Sequence, residues 1–407
     1  MPELALVTAA AAMFACLVLL DGPVTLFRDS DTGWHIRTGE AILDGQGLPR
    51  SDPYSFTRSG APWMAWEWGA DWMMGVAHRA AGLSGVAWLA ALWIGAGAWI
   101  WVRLCWRSGA DFLISCALMP IMLTAASLHW LSRPHLLGWV WLLLTLWAAE
   151  SAGGRFGLRH KATAVLLGAV WANTHASFAL GLAVLALYLA GEGLEWVLLG
   201  RSGARAAWYG QALLFGSAGT LLNPYGWRLH SHIVQYLANS ELLSRIAEFQ
   251  SFNYRADGAG RVALVLAVTA AGALCAWQAG QFGRCLVLAV FAWFGLQSAR
   301  GLPLAAMAAL PLAAGSMTLA ARRARGWRGW LESALSSIFG YSSNLRAIDR
   351  TAGGWALAPL APLLAALLLA LPAVRARTGF DPAQFPVEAA AAVAALPTEA
   401  RLYAPDK

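Results

Sequence analysis

Gly82 to Val102 reads GLSGVAWLAALWIGAGAWIWV, 21 residues without a charged side chain. As a helix rising about 1.5 Å per residue it is about 31 Å long, which matches the ~30 Å hydrocarbon core of a bilayer. Comparable apolar runs, rich in Ala, Leu, Val, Trp and Gly, recur along nearly the whole chain. With 407 residues, 58% of them hydrophobic and 13% charged, the chain has too little polar surface to cover a soluble globule. Short alternating strands of the kind a β-barrel needs are absent from the pattern. The sequence therefore predicts an all-α, polytopic transmembrane bundle.

Working outward from that run, membrane helices are expected at 3–26, 82–102, 110–128, 134–149, 162–174, 177–197, 207–223, 261–280, 285–299, 302–320 and 354–374, eleven crossings in all. The pair flanking Asn173 also reads as one long, broken helix. The first 20 residues carry Glu3 but no basic n-region and no clear small-residue cleavage site, so they read as a retained helix, not a removed signal. Cys16, Cys105, Cys116, Cys275 and Cys285 lack paired spacing and read as small core residues. Many of the 23 tryptophans stand at segment ends, as an interfacial belt requires.

An inside amino terminus puts Arg103/Arg107, Arg155/Arg159/Lys161, Arg201/Arg205 and Arg322/Arg323/Arg325/Arg328 on the cytoplasmic side. Inner segments then carry 14 Lys and Arg against 7 Asp and Glu, and outer segments 15 against 15, so the net charge of +7 lies inside. The basic excess reflects topology and not nucleic-acid binding. The expected location is a membrane, with the amino terminus on its cytoplasmic side and the carboxyl terminus outside.

This topology gathers the polar clusters on the outer face. Asp29-Ser30-Asp31-Thr32-Gly33-Trp34-His35 follows the first helix, and Ser127–His135 (SLHWLSRPH) joins the third and fourth. Trp171–Ser177 (WANTHAS) joins the fifth and sixth, Asn223–His230 ends the seventh, and Ser298–Pro303 (SARGLP) joins the ninth and tenth. Residues 28–81 form a large first outer loop whose stretch Trp63–His78 reads as an amphipathic interfacial helix. Residues 227–257 read as a second interfacial segment, with His230, His232, Tyr236, Glu241, Arg245 and Glu248. Residues 1–374 form the membrane domain. Residues 375–407 read as a linker, a short helix near Val387–Ala395 and the start of a strand at Ala400–Tyr403, the opening of an α/β domain that is then cut short.

Asp29, Asp31 and His35 suit a general base or a metal ligand set; the other reading is a hydrated loop in which Asp31 caps the following helix. Arg133 suits bidentate contact with phosphate, beside His135, and the alternative is a snorkelling topology residue. Arg300 is a second outer guanidinium. His175 is either a satisfied helix breaker or part of the same pocket, and Asn223-Pro224-Tyr225-Gly226 reads first as a helix stop. Glu67 and Asp71, one helical turn apart, either face the pocket or form a solvated face, the second being the plainer reading. No P-loop, GxGxxG, GxSxG, HExxH or CxxC pattern occurs.

In this arrangement the chain resembles the GT-C superfamily of polytopic glycosyltransferases, and more closely a bacterial group of GT-C-like membrane proteins of uncharacterised activity. The resemblance rests on DSDTGWHIRTG from Asp29, PRSDPYSFT from Pro49, Pro62–Trp68 (PWMAWEW), Arg133-Pro134-His135, Trp171–His175 and Asn223–Gly226, and spans about residues 20–305. It implies inverting transfer of a sugar from a polyprenyl-phosphate donor to a glycan, lipid or protein acceptor. Asp31, or else Asp29, would be the catalytic acid of the first outer loop, and Mg or Mn is a possible cofactor. His35, Glu67, Arg133, His135, His175 and Arg300 would then line the substrate pocket, and the spaced DSD departs from the adjacent acidic pair many such enzymes carry. Rival expectations are a transporter or flippase for a lipid-linked or anionic solute, which would favour midplane charges and an inverted repeat, and a noncatalytic envelope-assembly protein. No internal repeat is visible.

Overall fold

Gly22-Pro23 ends the first helix earlier than its apolar run would. Proline has no N–H to continue the ladder, and Asp21 turns through φ = 69° just before it. Helix α1 is therefore Leu4–Val18, and a 3-10 turn, Gly22–Phe27, follows. In this computed structural model residues 3–19, 21–256, 258–323, 329–355, 357–397 and 400–401 are described. The structure is 74% helical, and among the described residues there is no β-strand, only an isolated bridge between Ser51 and Pro62.

Helix α2 (Asp31–Leu43) stands in the first long loop. Helix α3 (Trp68–Ser108) contains the Gly82–Val102 run but begins fourteen residues before it, and bends at Ala81 and Gly82, where Gly82 has φ = 62°. A left-handed φ suits glycine, so the bend sits where the sequence allows it. The expected interfacial helix at Trp63–His78 is thus the first arm of α3, and Trp63 to Glu67 lie outside it because Pro62 is held in the bridge to Ser51.

Then come α4 (Phe112–Ser127), α5 (His135–Glu150), α6 (Leu158–Ala172), α7 (Phe178–Leu199) and α8 (Ala204–Thr220). The uncertain stretch around Asn173 resolves into two helices. Short α9 (Trp227–Ala238) and α10 (Ser240–Arg245) form the second loop segment, followed by α11 (Ala259–Gln278) and α12 (Phe282–Gln297). α13 (Gly301–Leu304) and α14 (Leu310–Arg323) continue one another through a π-turn, Ala305–Ala309.

Four helices are long and apolar enough to cross a membrane among the described residues: Trp68–Ser108, Phe178–Leu199, Ala259–Gln278 and Gly301–Arg323. Shorter apolar helices occupy Leu4–Val18, Phe112–Ser127, His135–Glu150, Phe282–Gln297 and Leu357–Ala370. The outward faces carry large bare side chains such as Leu214, Leu274 and Trp293, as a lipid-facing surface would.

The rod from Gly301 to Ser316 is buried along its whole length and forms the centre of the bundle. Its π-turn has a local cause. Leu310 N–H already reaches back to Ala305 O, and the next residue, Pro311, has no N–H to give Ala306 O. The indole of Trp101 donates to that carbonyl instead, at 3.1 Å. Around the rod, α1 and α5 pack on α3, α6 on α8, and α7 on α8 and α12.

Two further elements complete the chain. The connection after α14, expected as a basic loop, contains α15 (Gly329–Thr351), which docks through Asp349 on the α1 N-terminus (Leu4 N to Oδ1, 2.7 Å) and through Ser342 on Asp111 (2.7 Å). Arg325 and Arg328 lie outside the described residues. α16 (Leu357–Ala370) matches the last apolar run, followed by α17 (Pro372–Arg375) and α18 (Ala389–Ala394) within the expected Val387–Ala395. Of the expected strand, Ala400 and Arg401 are not in one, and Leu402 and Tyr403 lie outside the described residues.

The loop ends and the basic ends of the helices differ in kind. At the basic ends, Arg284 of α12 donates to Glu150 of α5 (Nε to Oε1, 3.0 Å), and Arg205 of α8 meets Glu192 of α7 at 3.2 Å. These paired charges tie helix termini together. The loop ends carry the candidate site.

Candidate functional site

The site begins with the turn between α4 and α5. Ser132 N–H donates to Leu26 O (2.8 Å), and Thr32 Oγ1 donates to Ser132 O (3.1 Å), so the 3-10 turn and the start of α2 are both tied to this segment. That docking presents Arg133 to the DSD motif. Its Nη1 lies 2.7 Å from Asp29 Oδ2 and its Nη2 2.8 Å from Asp31 Oδ2, so the planar guanidinium forks across the two acids. Glu248 approaches the same Nη1 at 3.7 Å. Burial works against the charge of Arg133, but Asp29, Asp31 and Glu248 outweigh it and hold the guanidinium above its ordinary pKa.

The capping role expected of Asp31 belongs to Asp29. Asp31 is the first residue of α2, and its own N–H donates to Asp29 Oδ1 at 2.9 Å. Asp31 keeps a freer carboxylate, 41% exposed against 19% for Asp29.

One turn further along α2, His35 is fully buried. Its Nδ1 is 2.6 Å from Asp71 Oδ1, and its Nε2 is 3.7 Å from Glu67 Oε2. Burial pushes Asp71 well above the usual carboxylate range and His35 well below the usual imidazole range, so the site disfavours the charged form of each. Asp71 is thus no solvated residue, and neither is Glu67, which is 9% exposed.

Glycine makes this pairing possible. A Cβ on Gly39 of α2 would fall 1.9 Å from Asp71 O, and one on Gly75 of α3 would fall 2.5 Å from Gly39 C, so the two backbones touch. Gly39→Ala is expected to cost about 1–3 kcal/mol through overpacking and to part His35 from Asp71. Thermal unfolding in lipid checks the cost, and a variant as stable as wild type would show that the helices can separate freely.

His175 reaches the site from the break between α6 and α7. Asn173 builds that break: its Oδ1 accepts from Trp68 Nε1 (2.8 Å), its Nδ2 donates to Leu222 O (2.8 Å), and its carbonyl accepts from Gly69 N (2.9 Å). His175 Nε2 then lies 3.2 Å from Glu67 Oε1, while its Nδ1 engages Ser177 Oγ at 2.7 Å. The helix stop at Asn223 also contributes, since Tyr225 accepts a hydrogen bond from Ala65 N at 3.0 Å and so fixes the strand-like approach to Glu67.

Glu67, between His35 and His175, is a second perturbed acid of the site. Burial raises it to about 7, against the pull of Arg133 and Arg300. Because the folded state holds this proton more tightly than the unfolded chain, the stability it contributes is full below pH about 4.5 and is lost as pH rises through about 7. Relative to Glu67→Gln, wild type should lose up to about 3 kcal/mol across that window. A pH-independent difference between the two, measured by thermal unfolding from pH 4 to 8, would remove the buried carboxyl as its source.

Two expected pocket residues, Arg300 and His135, also have partners within the fold. Arg300 is close-paired with Glu248, and its N–H donates to Glu248 O at 3.0 Å. His135 lies under the cluster, its Nε2 2.9 Å from His129 O and its ring against His129 and Trp139. It therefore supports the turn and does not line an open pocket. Sequence reasoning gave no role to His129 or Glu248. His129 Nε2 stands 3.5 Å from Glu248 Oε1, and burial lowers its pKa to about 4. A solitary acid in a loop gives no local signal of such a role. Trp66 closes one edge against His232 (4.8 Å between centroids) and Tyr236 (5.7 Å).

The donor set does not fit the Mg or Mn the motif suggested. Arg133 already places a positive charge between Asp29 and Asp31, His35 is held by Asp71, and no group of three or more His, Cys, Asp or Glu among the described residues is disposed to hold a metal. The arrangement can instead accept hydrogen bonds from hydroxyl groups and take up a proton. No protein family, curated protein or solved structure matches this chain.

Proposed function

We propose that the loop end of this bundle transfers a sugar from a polyprenyl-phosphate donor to a hydroxyl of a glycan, lipid or protein acceptor, at the outer face of a bacterial inner membrane. The single observation that carries this reading is the Arg133 fork holding Asp29 and Asp31 beside Glu67, His35 and His175, at one end of a bundle of apolar helices. Carboxylates and neutral imidazoles accept hydrogen bonds, so such a pocket suits a polyol, and the Trp66/Tyr236 edge offers ring faces for the apolar C–H surface of a sugar.

In the proposed step the acceptor oxygen attacks the anomeric carbon, the bond from that carbon to the phosphate oxygen breaks, and Asp31 takes the hydroxyl proton. The sugar inverts and the polyprenyl phosphate leaves with the electron pair. Charge developing on it falls to Arg133 and Arg300, whose five N–H donors each exceed the carboxylate contacts they make.

The test is transfer from a panel of radiolabelled polyprenyl-phosphate sugars by purified protein in lipid, with and without divalent metal. Metal-independent transfer is expected. Specific binding of a lipid-linked sugar with no transfer across the panel would instead favour transport or an assembly role.

A further inference from the structure

A second candidate site lies away from the polar cluster, between α5, α6, α7 and α8. It is a cavity of about 310 Å³, roughly twice the ~150 Å³ of apolar space that suffices to hold a benzene in a protein core. Its wall runs along α6 from Arg159 to Trp171, about 18 Å at 1.5 Å per residue. One leaflet of a ~30 Å hydrocarbon core is about 15 Å deep, so the cleft matches one acyl chain with its head at the Arg159 end.

The two ends of the cleft differ chemically. Deep in it are Leu167, Gly168, Trp171, Phe178 and Gly181, with the Thr220 hydroxyl there already bonded to Ser217 O and His230. At the mouth are the exposed Arg159 guanidinium and the His160 imidazole, whose Nδ1 accepts from Gly157 N–H at 3.2 Å and leaves Nε2 free to donate, with Lys161 beside them over the Phe215 ring. Phe156 packs against His160 and Trp208 there, at 5.4 and 5.0 Å between centroids.

Trp208 supplies an independent observation. It lines the cavity, is 6% exposed, and its Nε1 is buried without a hydrogen-bond partner. A buried N–H left unpaired costs about 1–3 kcal/mol, and an acceptor brought by a ligand removes that cost. Basic loops at a membrane surface are expected from topology alone; a cleft with an unpaired donor under them is not.

We infer that this cleft binds an anionic phospholipid from the leaflet bordering the basic connections, one acyl chain between α6 and α8, the phosphate at Arg159 and His160, and an acceptor oxygen on the Trp208 indole. The inference takes the chain as membrane-embedded and does not rest on glycosyl transfer. Such a lipid would brace the α6–α8 pair, which meets so closely that a Cβ on Gly168 would fall 2.3 Å from Gly216 O.

The experiment is native mass spectrometry of the full chain released from nanodiscs of equal phosphatidylglycerol and phosphatidylcholine. Wild type should retain phosphatidylglycerol over phosphatidylcholine. Arg159→Gln should reduce that preference about fivefold, the effect of one basic residue near a lipid surface. Trp208→Phe, which keeps a ring and removes the donor, should lower retention about tenfold. Ala212→Phe should fill the cleft and expel the lipid; because that variant risks misfolding, the two milder ones decide. Equal retention of both lipids by wild type, retention unchanged in both Arg159→Gln and Trp208→Phe, or displacement by a neutral lipid or an isoprenyl phosphate would overturn the inference.

Discussion

Arg133→Met is expected to lower the stability of the folded protein by about 3 kcal/mol, the low end of what breaking a buried ion pair from one side costs. The guanidinium is 16% exposed and forks across Asp29 and Asp31 with Glu248 at its edge, so its removal leaves three carboxylates facing one another with Arg300 as the nearest remaining cation. The effect is not confined to charge. Arg133 sits in the turn whose neighbour Ser132 ties Leu26 and Thr32 to α5, so an unpaired acid cluster pushes on the junction that orients α2. Arg133→Lys should recover little, because an ammonium is a point charge and cannot span both carboxylates in one plane. Arg133→Met combined with Asp29→Asn should cost less than the sum of the two single changes, since the second relieves the repulsion created by the first. Equilibrium unfolding in mixed micelles measures wild type and the four variants, Asp29→Asn alone among them. A single Arg133→Met variant within about 0.5 kcal/mol of wild type, the range of ordinary surface substitutions, would show that the fork contributes nothing to the fold.

What local sequence could and could not reveal follows from the length scale of each interaction. A crossing helix must satisfy its own backbone and bury its own side chains in lipid, so its signal lies within about 20 consecutive residues. That is why Gly82–Val102 and its counterparts were readable. α15 was not, because its apolar positions, Trp330, Ile338, Tyr341 and Ile348, are spaced along one face among Ser, Arg and Asn. An amphipathic helix of that kind looks like a polar connection to a hydropathy reading. Similarly, DSDTGWH and Arg133-Pro134-His135 each announce themselves as charged residues beside apolar runs, although only the fold shows that they grip one another. Asp71 was misread because a carboxylate one turn from Glu67 at the start of a helix is ordinarily solvated. Its burial depends on Gly39 and Gly75 letting two backbones touch, a contact between segments 36 residues apart that no local pattern encodes. His129 and Glu248 entered the site through the same kind of long-range closure.

Asp31→Asn is expected to reduce transfer by about 100- to 10,000-fold, the range a positioned general base contributes, while changing stability by less than about 1 kcal/mol. The separation of the two effects follows from where the carboxylate stands. Asp31 is the most exposed acid on Arg133, and asparagine has the same shape and an amide oxygen that can still accept from Nη2. What it lacks is the ability to take the acceptor's proton. Asp29→Asn differs, because Asp29 accepts both the Asp31 N–H and Arg133 Nη1, and its loss should disturb the start of α2 as well as activity. Glu67→Gln is the decisive companion. Glu67 is an acid of the pocket able to exchange a proton near neutrality, being raised to about 7 by burial and held between His35 and His175. If Asp31→Asn transfers sugar as wild type does while Glu67→Gln does not, the base is Glu67, supported by the Asp71–His35 pair, and the rate should rise with pH through about 7. If Asp31→Asn alone fails, the acid of the DSD motif is the base and Glu67 serves to orient the acceptor hydroxyl.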